Sequence, residues 1–342
     1  MSRYAAAHAN PQGPGDARPT ALQIVQDENL AGKLKGKSVF VTGANQGIGF
    51  EAARAFHATG ATVFIGSRDP VKGQKAIDDI KNSDLKNGAP LHLIKISTDS
   101  LDSVREAAQA LLKHDTDFKL NLLILNAGVM CSPYSKTVDG YESQLATNHL
   151  GHFLLFQLLK PALLAASTPS FNSRVISVSS MAHCASEIRF HDLHFEETGS
   201  YDPWVAYGQS KTANIYAVNE IERRYGHRGL HAFSLHPGSI ATNLQQHLSQ
   251  EIKDYAAQNT QIQKQFKSIP QGAATTVFAA LSKDLEGKGG KYLVDEAVAP
   301  PAHPDSDSMS TDNGYSTWAY DQDKAAKFWV ESNKLVGLDV DA

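Results

Sequence analysis

Short apolar runs alternating with longer amphipathic stretches restrict this chain to one kind of architecture. The runs fall at 38–41, 62–65, 91–96, 120–125, 174–178, 230–235 and 291–294, and most are separated by 12 or more residues of helical pattern. Such alternation predicts a parallel sheet with helices on both faces, an α/β doubly wound domain of seven strands over about residues 37–295. Residues 1–36 precede it. Their first part, 1–19, is rich in Ala, Gly and Pro and is expected to be a mobile tail. Thr20 and Gln23 then show capping-box spacing at the head of a short helix carrying Leu22, Ile24 and Val25. Residues 296–342 form a C-terminal extension, in which a Pro-rich break (298–304) and a polar stretch lead to a helical pattern over 321–336. No internal repeat is visible.

Composition removes several function classes. At 342 residues and 42% hydrophobic, the chain can bury a large core without a staple. Two cysteines, Cys131 and Cys184, exclude a disulfide framework and an all-cysteine zinc site. A net charge of -4 argues against nucleic acid as a partner. No apolar run approaches the ~18 residues that span a bilayer, and the first 20 residues lack the apolar core of a secretory signal. The expectation is a cytoplasmic protein without a membrane span.

The first strand ends in Thr42-Gly43-Ala44-Asn45-Gln46-Gly47-Ile48-Gly49 and runs into a helical pattern, 50–59. Glycines at this spacing allow a tight turn, close approach to a pyrophosphate and close helix–strand packing. The helix N-terminus behind them offers free N–H groups and partial positive charge. Gly43, Asn45, Gln46, Gly47, Ile48 and Gly49 are therefore the expected phosphate cradle.

The spacing Gly43-x-x-x-Gly47-x-Gly49 resembles that of the short-chain dehydrogenases/reductases, a Rossmann-fold family. Further motifs of that family follow in order: Asn126-Ala127-Gly128 after the fourth strand, Asn148, Ser180 after the fifth, Tyr207-x-x-x-Lys211, and Pro237-Gly238 after the sixth. The likeness covers about 37–295. Within the family, Asn148-His149-Leu150-Gly151-His152-Phe153 and Ser179-Ser180-Met181-Ala182-His183 resemble the retinol-dehydrogenase-like branch. The segment 20–37 and the tail around Trp318-Ala319-Tyr320 resemble fungal reductases, often associated with secondary metabolism.

The resemblance implies a nicotinamide cofactor. An NAD site normally holds the ribose 2′-OH with a carboxylate near the end of the second strand. Ser67 stands there, followed by Arg68, whose guanidinium can pair with a phosphate, so NADP(H) is expected over NAD(H). Lys72 adds charge and Asp69 works against it. The family usually places Asp after the third strand to contact adenine. Ser97 fills that position here and the nearest acid is Asp99, leaving the adenine contact open between them. Asn126, Ala127 and Gly128 are expected along the cofactor groove, with a strand-end role for Asn126 as the alternative. Pro237, Gly238 and Thr242 are expected at the nicotinamide and phosphate end.

Tyr207 and Lys211 lie four apart in a helical pattern and so share one face. A free phenol titrates near ~10, and a neighbouring ammonium favours its ionised form. Tyr207 can then pass a proton to or from a carbonyl/alcohol oxygen. The resemblance implies that Ser180, with Ser177 and Ser179 as rivals, orients that oxygen. It also implies that Asn148 shapes its helix so a relay water reaches Lys211, and that Lys211 holds the nicotinamide ribose.

His149/His152 and His191/His194 have no third ligand in register, so no metal site is expected. Cys131 reads as a buried, inert thiol near the site. The helix after Asn148 is apolar nearly all round and must be buried on several sides. Family members dimerise through this helix and the Tyr207 helix, which implies a homodimer or homotetramer unless the C-terminal extension covers that surface. Residues 184–203 and 243–269 are expected to shape the pocket, the second as a lid. Phe190, Phe195, Tyr201 and Trp204 point to a lipophilic or natural-product-like carbonyl/alcohol substrate. Two other readings remain: a non-catalytic NADP(H)-binding sensor, and a family enzyme carrying out dehydration or double-bond reduction.

Overall fold

The computed structural model describes residues 2–83, 87–303 and 314–339. Ten strands are present: β1 (Ser38–Thr42), β2 (Thr62–Ser67), β3 (Leu91–Lys95), β4 (Leu122–Leu125), β5 (Ser173–Val178), β6 (Leu230–His236), β7 (Ser239–Ile240), β8 (Phe266–Lys267), β9 (Lys291–Val294) and β10 (Ala297–Val298). Eight build one sheet in the order β10-β9-β6-β5-β4-β1-β2-β3, while β7 and β8 pair apart from it. Every pair in the large sheet is parallel except β9–β10. The seven expected strands are thus present, and β10 is an addition. It carries the sheet past the expected domain end at 295. Asp295 and Glu296, with φ of 52° and 53°, make the two-residue turn between β9 and β10. Two left-handed residues match the twist of paired strands, but a two-residue strand has no periodicity to read.

Helices cover both faces, which is why β4, β5 and β6 are buried along their whole length. Gly47–Ala58, Pro70–Lys81 and Ala274–Leu281 pack on one face, Leu101–Leu112, Gly151–Ala166 and Pro203–Tyr225 on the other. Strand order reverses between β1 and β4, opening a crevice at their carboxyl ends where ligands bind in such sheets.

The amino-terminal segment does not behave as a mobile tail. Tyr4 is buried edge-on against Phe278 and its hydroxyl donates to Asp27 at 2.8 Å. Arg18 is 4% exposed and spends its guanidinium on backbone carbonyls. These anchors are polar or single aromatics, so a hydropathy pattern does not register them.

The stretch Ser143–Ala166 is helical, long and apolar enough by composition to cross a bilayer, contrary to expectation, yet most of it is buried inside the protein. The helix Gln322–Leu335, capped by Asp321, supplies part of that cover. Its Trp329 meets Phe153 edge-on at 4.9 Å, Phe328 lies on His149, and Asn333 accepts from Gln157 at 2.9 Å. The extension therefore lies against both helices of the surface named above. Trp329 is 2% exposed. Trp329→Ala is expected to lower stability by about 3–5 kcal/mol, read as a lower urea midpoint.

Candidate active site

At the crevice, β1 runs into the glycine turn. A Cβ on Gly49 would sit 2.4 Å from the Gly43 carbonyl oxygen and from Asn126 Nδ2, so only glycine fits there. Asn126 explains the crowding: its Nδ2 donates to the Thr42 carbonyl at 2.9 Å. The amide thus ties β4 to the turn. The Thr42 hydroxyl oxygen accepts the N–H groups of Asn126 and Ala127 at 2.9 and 3.0 Å.

Asn148 lies in a π-turn, Ala146–Leu150, which no sequence period announces. Its Oδ1 accepts from Val129 N–H at 2.8 Å, and its Nδ2 donates to Val129 O and Ser210 Oγ, both at 2.9 Å. Its carbonyl accepts from His152 Nδ1 at 3.0 Å. Since Nδ1 must carry that proton, Nε2 is left to accept from the Thr42 hydroxyl at 2.9 Å. Burial pushes His152 down to about 4, keeping it neutral. In the sequence His152 reads only as part of the branch motif and as a rejected metal ligand, and Thr42 only as the residue before the glycine turn. Gly128 lies between Asn148 and Lys211: a Cβ there would be 3.1 Å from Asn148 Oδ1 and 3.7 Å from Lys211 Nζ.

The helix Pro203–Tyr225 starts with Pro203 at its first position and Asp202 accepting the N–H groups of Trp204 and Val205 at 2.8 Å. This start aims Tyr207 and Lys211 at the crevice, with Lys211 Nζ 5.4 Å from the Tyr207 ring centre. Ser180 sits beside Tyr207, where its hydroxyl favours the phenolate, and its Oγ accepts the Ala182 N–H at 3.1 Å. Its rival Ser179 is tied to the Lys211 carbonyl at 2.8 Å, and Ser177 is buried in β5. Burial pushes the Tyr207 hydroxyl above its usual range against the opposing influence of Ser180, so the phenol is neutral. Burial also brings Lys211 down to about 7.

The turn that carries Ser180 is held from behind by His183. Its Nδ1 donates to the Ser180 carbonyl at 2.7 Å, and its Nε2 accepts the Ser316 N–H at 3.0 Å. The C-terminal extension thus reaches the Ser180 backbone through one neutral histidine, pushed by burial to about 4.

A family model for short chain dehydrogenase matches residues 37–191. A short-chain dehydrogenase/reductase, prx1 of Penicillium roqueforti, is 46% identical over 336 residues, covering 98% of this chain and 95% of the relative. The chain belongs to the short-chain dehydrogenase/reductase family. Retinol dehydrogenase 12 of Mus musculus is 40% identical over 269 residues, covering 77% and 79% of the two chains, which supports the retinol-dehydrogenase-like branch. A crystal structure of an uncharacterised protein from Mycobacterium paratuberculosis superposes with a TM-score of 0.65 at 32% identity, covering 91% and 98%. The protein is accordingly an NAD(P)-dependent oxidoreductase.

The residues present fit a short-chain family dinucleotide. Gln46 gives no side-chain cap to the helix Gly47–Ala58, so its first-turn N–H groups are left for an anion. Thr242 closes the groove, its methyl 3.8 Å from where a Gly47 Cβ would lie. At the end of β2, Ser67 Oγ donates to the Asp69 carbonyl at 2.8 Å. The Asp69 carboxylate caps the next helix, accepting from Val71 N–H at 2.9 Å and Lys72 N–H at 3.2 Å. Arg68 is exposed and lies 3.7 Å from Asp99, which also accepts from Ser97.

Cys131 is buried with Met130, Ala182 and Tyr207, with Trp204 and Leu248 against them. Burial lifts its thiol to about 12. Phe195 and Tyr201 meet edge-on, 5.4 Å between ring centres. Phe190 does not join them. It packs on Phe328 and Lys327 of the C-terminal helix.

Lys211 keeps its fold-destabilising burial on both sides of neutral pH. An unfolded lysine holds its proton to about 10.4, so between about 7 and that value the unfolded chain binds more protons and stability rises with pH. Lys211→Met retains the stem, and the Val178 carbonyl keeps its Asn214 donor at 3.2 Å. The variant is expected to be more stable by roughly 2–4 kcal/mol at pH 7, at about 1.4 kcal/mol per pKa unit, with the gain shrinking towards pH 10 in urea titrations.

Proposed function

We propose that the protein is an NADP(H)-dependent reductase of a lipophilic, natural-product-like carbonyl compound, with Tyr207 as general acid. The observation that carries this reading is the placement of Ser180 beside a Tyr207 phenol that burial keeps neutral, one helical turn from Lys211. Bound in the groove, the reduced nicotinamide supplies a hydride to the carbonyl carbon. Ser180 and Tyr207 both bond the carbonyl oxygen, and Tyr207 gives it the proton as negative charge develops there. Lys211, as an ammonium, favours the phenolate left behind and holds the nicotinamide ribose. Asn148 keeps the Val129 backbone and Ser210 in place around them. The apolar wall of Met130, Cys131, Trp204 and Leu248 supports a lipophilic substrate. Among the described residues neither Cys131 nor Cys184 is in a disulfide, which suits the cytosol.

Tyr207→Phe is expected to lower kcat for carbonyl reduction by about 10²–10⁴-fold while leaving NADPH binding intact. In the wild type, reduction should fall as pH rises through about 7, because Lys211 loses its proton there. A screen of ketones and aldehydes with NADPH and NADH, followed by nicotinamide absorbance, tests both; binding of NADPH without any turnover would favour a sensor instead.

For the cofactor, the lack of a carboxylate aimed from the end of β2 and the exposed Arg68 support a 2′-phosphate. Arg68→Ala should weaken NADPH by about 10–100-fold and leave NADH unchanged, as loss of a charge-assisted bond predicts. Nicotinamide fluorescence titration measures it.

A further inference from the structure

The region after β7 has the composition of a lid. It runs through the short turn Asn243–His247 and the helices Gln250–Gln258 and Thr260–Gln265, none of which buries a residue. Leu248 touches the apolar wall beside Cys131, but Ile252 and Tyr255 are exposed, so apolar packing does not hold down the two helices beyond it. The segment's far end is fixed by something else. Beyond Gln265 comes β8, which pairs with β7 in the register Ser239↔Phe266 and Ile240↔Lys267.

The fastening is the amino-terminal arm. Arg18 is buried, and its Nη1 donates to the Gln265 carbonyl at 2.9 Å while Nη2 donates to Phe266 O at 2.6 Å and to Gly13 O at 3.1 Å. A guanidinium at the end of Thr260–Gln265 meets carbonyls that have no partner within the helix and complements its dipole. Asp16 fixes the fork, accepting from Arg18 Nε at 2.8 Å. Burial opposes that carboxylate's charge, but the bonds from Arg18 and Gln12 prevail and bring it to about 2. Gln271, just past the lid, donates to Asp16 O and Arg18 O, both at 3.1 Å, and accepts from Gly15 N–H at 2.9 Å. The arm and the distal hinge of the lid are thus one hydrogen-bonded unit.

That unit bears on the cofactor groove. Lys267, the second residue of β8, is buried and donates to Asp295 at 2.7 Å, and His8 of the arm pairs with Glu296 at 2.6 Å beside it. The Lys267 stem lies across Gly238, where φ is +98° and a Cβ would come within 2.8 Å of Lys267 Cδ. We propose that Arg18 is a positioning residue: through the Gln265 and Phe266 carbonyls it sets β8, and with it the lid and the Lys267 stem that shapes the Pro237-Gly238 turn. The consequence for turnover rests on the reading of that turn as the nicotinamide end.

The test compares full-length wild type with Arg18→Met, which keeps an apolar stem, and Arg18→Lys, which keeps one donor and the charge. Hydrogen exchange should rise about tenfold in residues 239–267 of Arg18→Met with β1 and β5 unchanged, as loss of a local tether predicts. KM for the carbonyl should rise about tenfold with kcat within about twofold, and Arg18→Lys should recover part of both. Unchanged exchange in 239–267, or a rise spread equally over β1 and β5, would overturn the proposal. If the wild type reduces no carbonyl, the exchange pattern still decides the role of Arg18, and the reductase reading alone falls.

Discussion

One buried hydroxyl holds the site together. Thr42 ends β1, and its oxygen satisfies two N–H groups at the end of β4 while its proton goes to His152. His152 in turn fixes the carbonyl of Asn148 inside a π-turn. The reversal of strand order between β1 and β4 leaves a crevice whose rims have no ladder between them. Two backbone donors there would be orphaned without an acceptor, at about 1–3 kcal/mol each. A threonine both lines the strand and provides that acceptor. Everything downstream inherits its register: the glycine turn through Asn126, and the helix after Asn148 through the histidine.

The same burial that makes the crevice dry sets its chemistry. Tyr207 and Lys211 are pushed in opposite senses, each towards its uncharged form. A phenol that stays neutral is a proton donor, and an amine titrating near neutrality responds to a nearby charge. Stability is given up for this, since a buried lysine with few donors' partners would be replaced by a hydrocarbon if packing alone mattered.

Much of this was legible from the chain. Seven strands, the glycine turn, the Tyr207/Lys211 helix face and the capped C-terminal helix all rest on periodicity or on local capping chemistry, which neighbours in sequence determine. What escaped depends on partners far along the chain. The β10 strand is two residues long, and its turn has no glycine to mark it. Phe190 reads like a pocket aromatic because sequence reveals its character but not that Phe328 lies opposite. Asp69 reads as a charge near the cofactor because its use as a helix cap is a matter of geometry. Among Ser177, Ser179 and Ser180 the resemblance already points to Ser180, and the fold adds what the sequence does not show, that the Ser179 hydroxyl is spent on the Lys211 carbonyl.

The two terminal extensions follow one physical logic. Each reaches the site through a single polar side chain that bonds backbone: His183 receives Ser316 from one side, and Arg18 grips β8 from the other. Apolar contacts could hold these segments as firmly, but they are non-directional and tolerate sliding. A hydrogen bond to a carbonyl fixes position to a few tenths of an ångström, which is the tolerance the proposed placement of a carbonyl oxygen by Ser180 and Tyr207 demands. Apolar packing therefore does the bulk holding, at Trp329 and at Tyr4, while the last contact before the site is polar. A surface built that way is invisible to hydropathy, which is why residues 1–19 read as a tail.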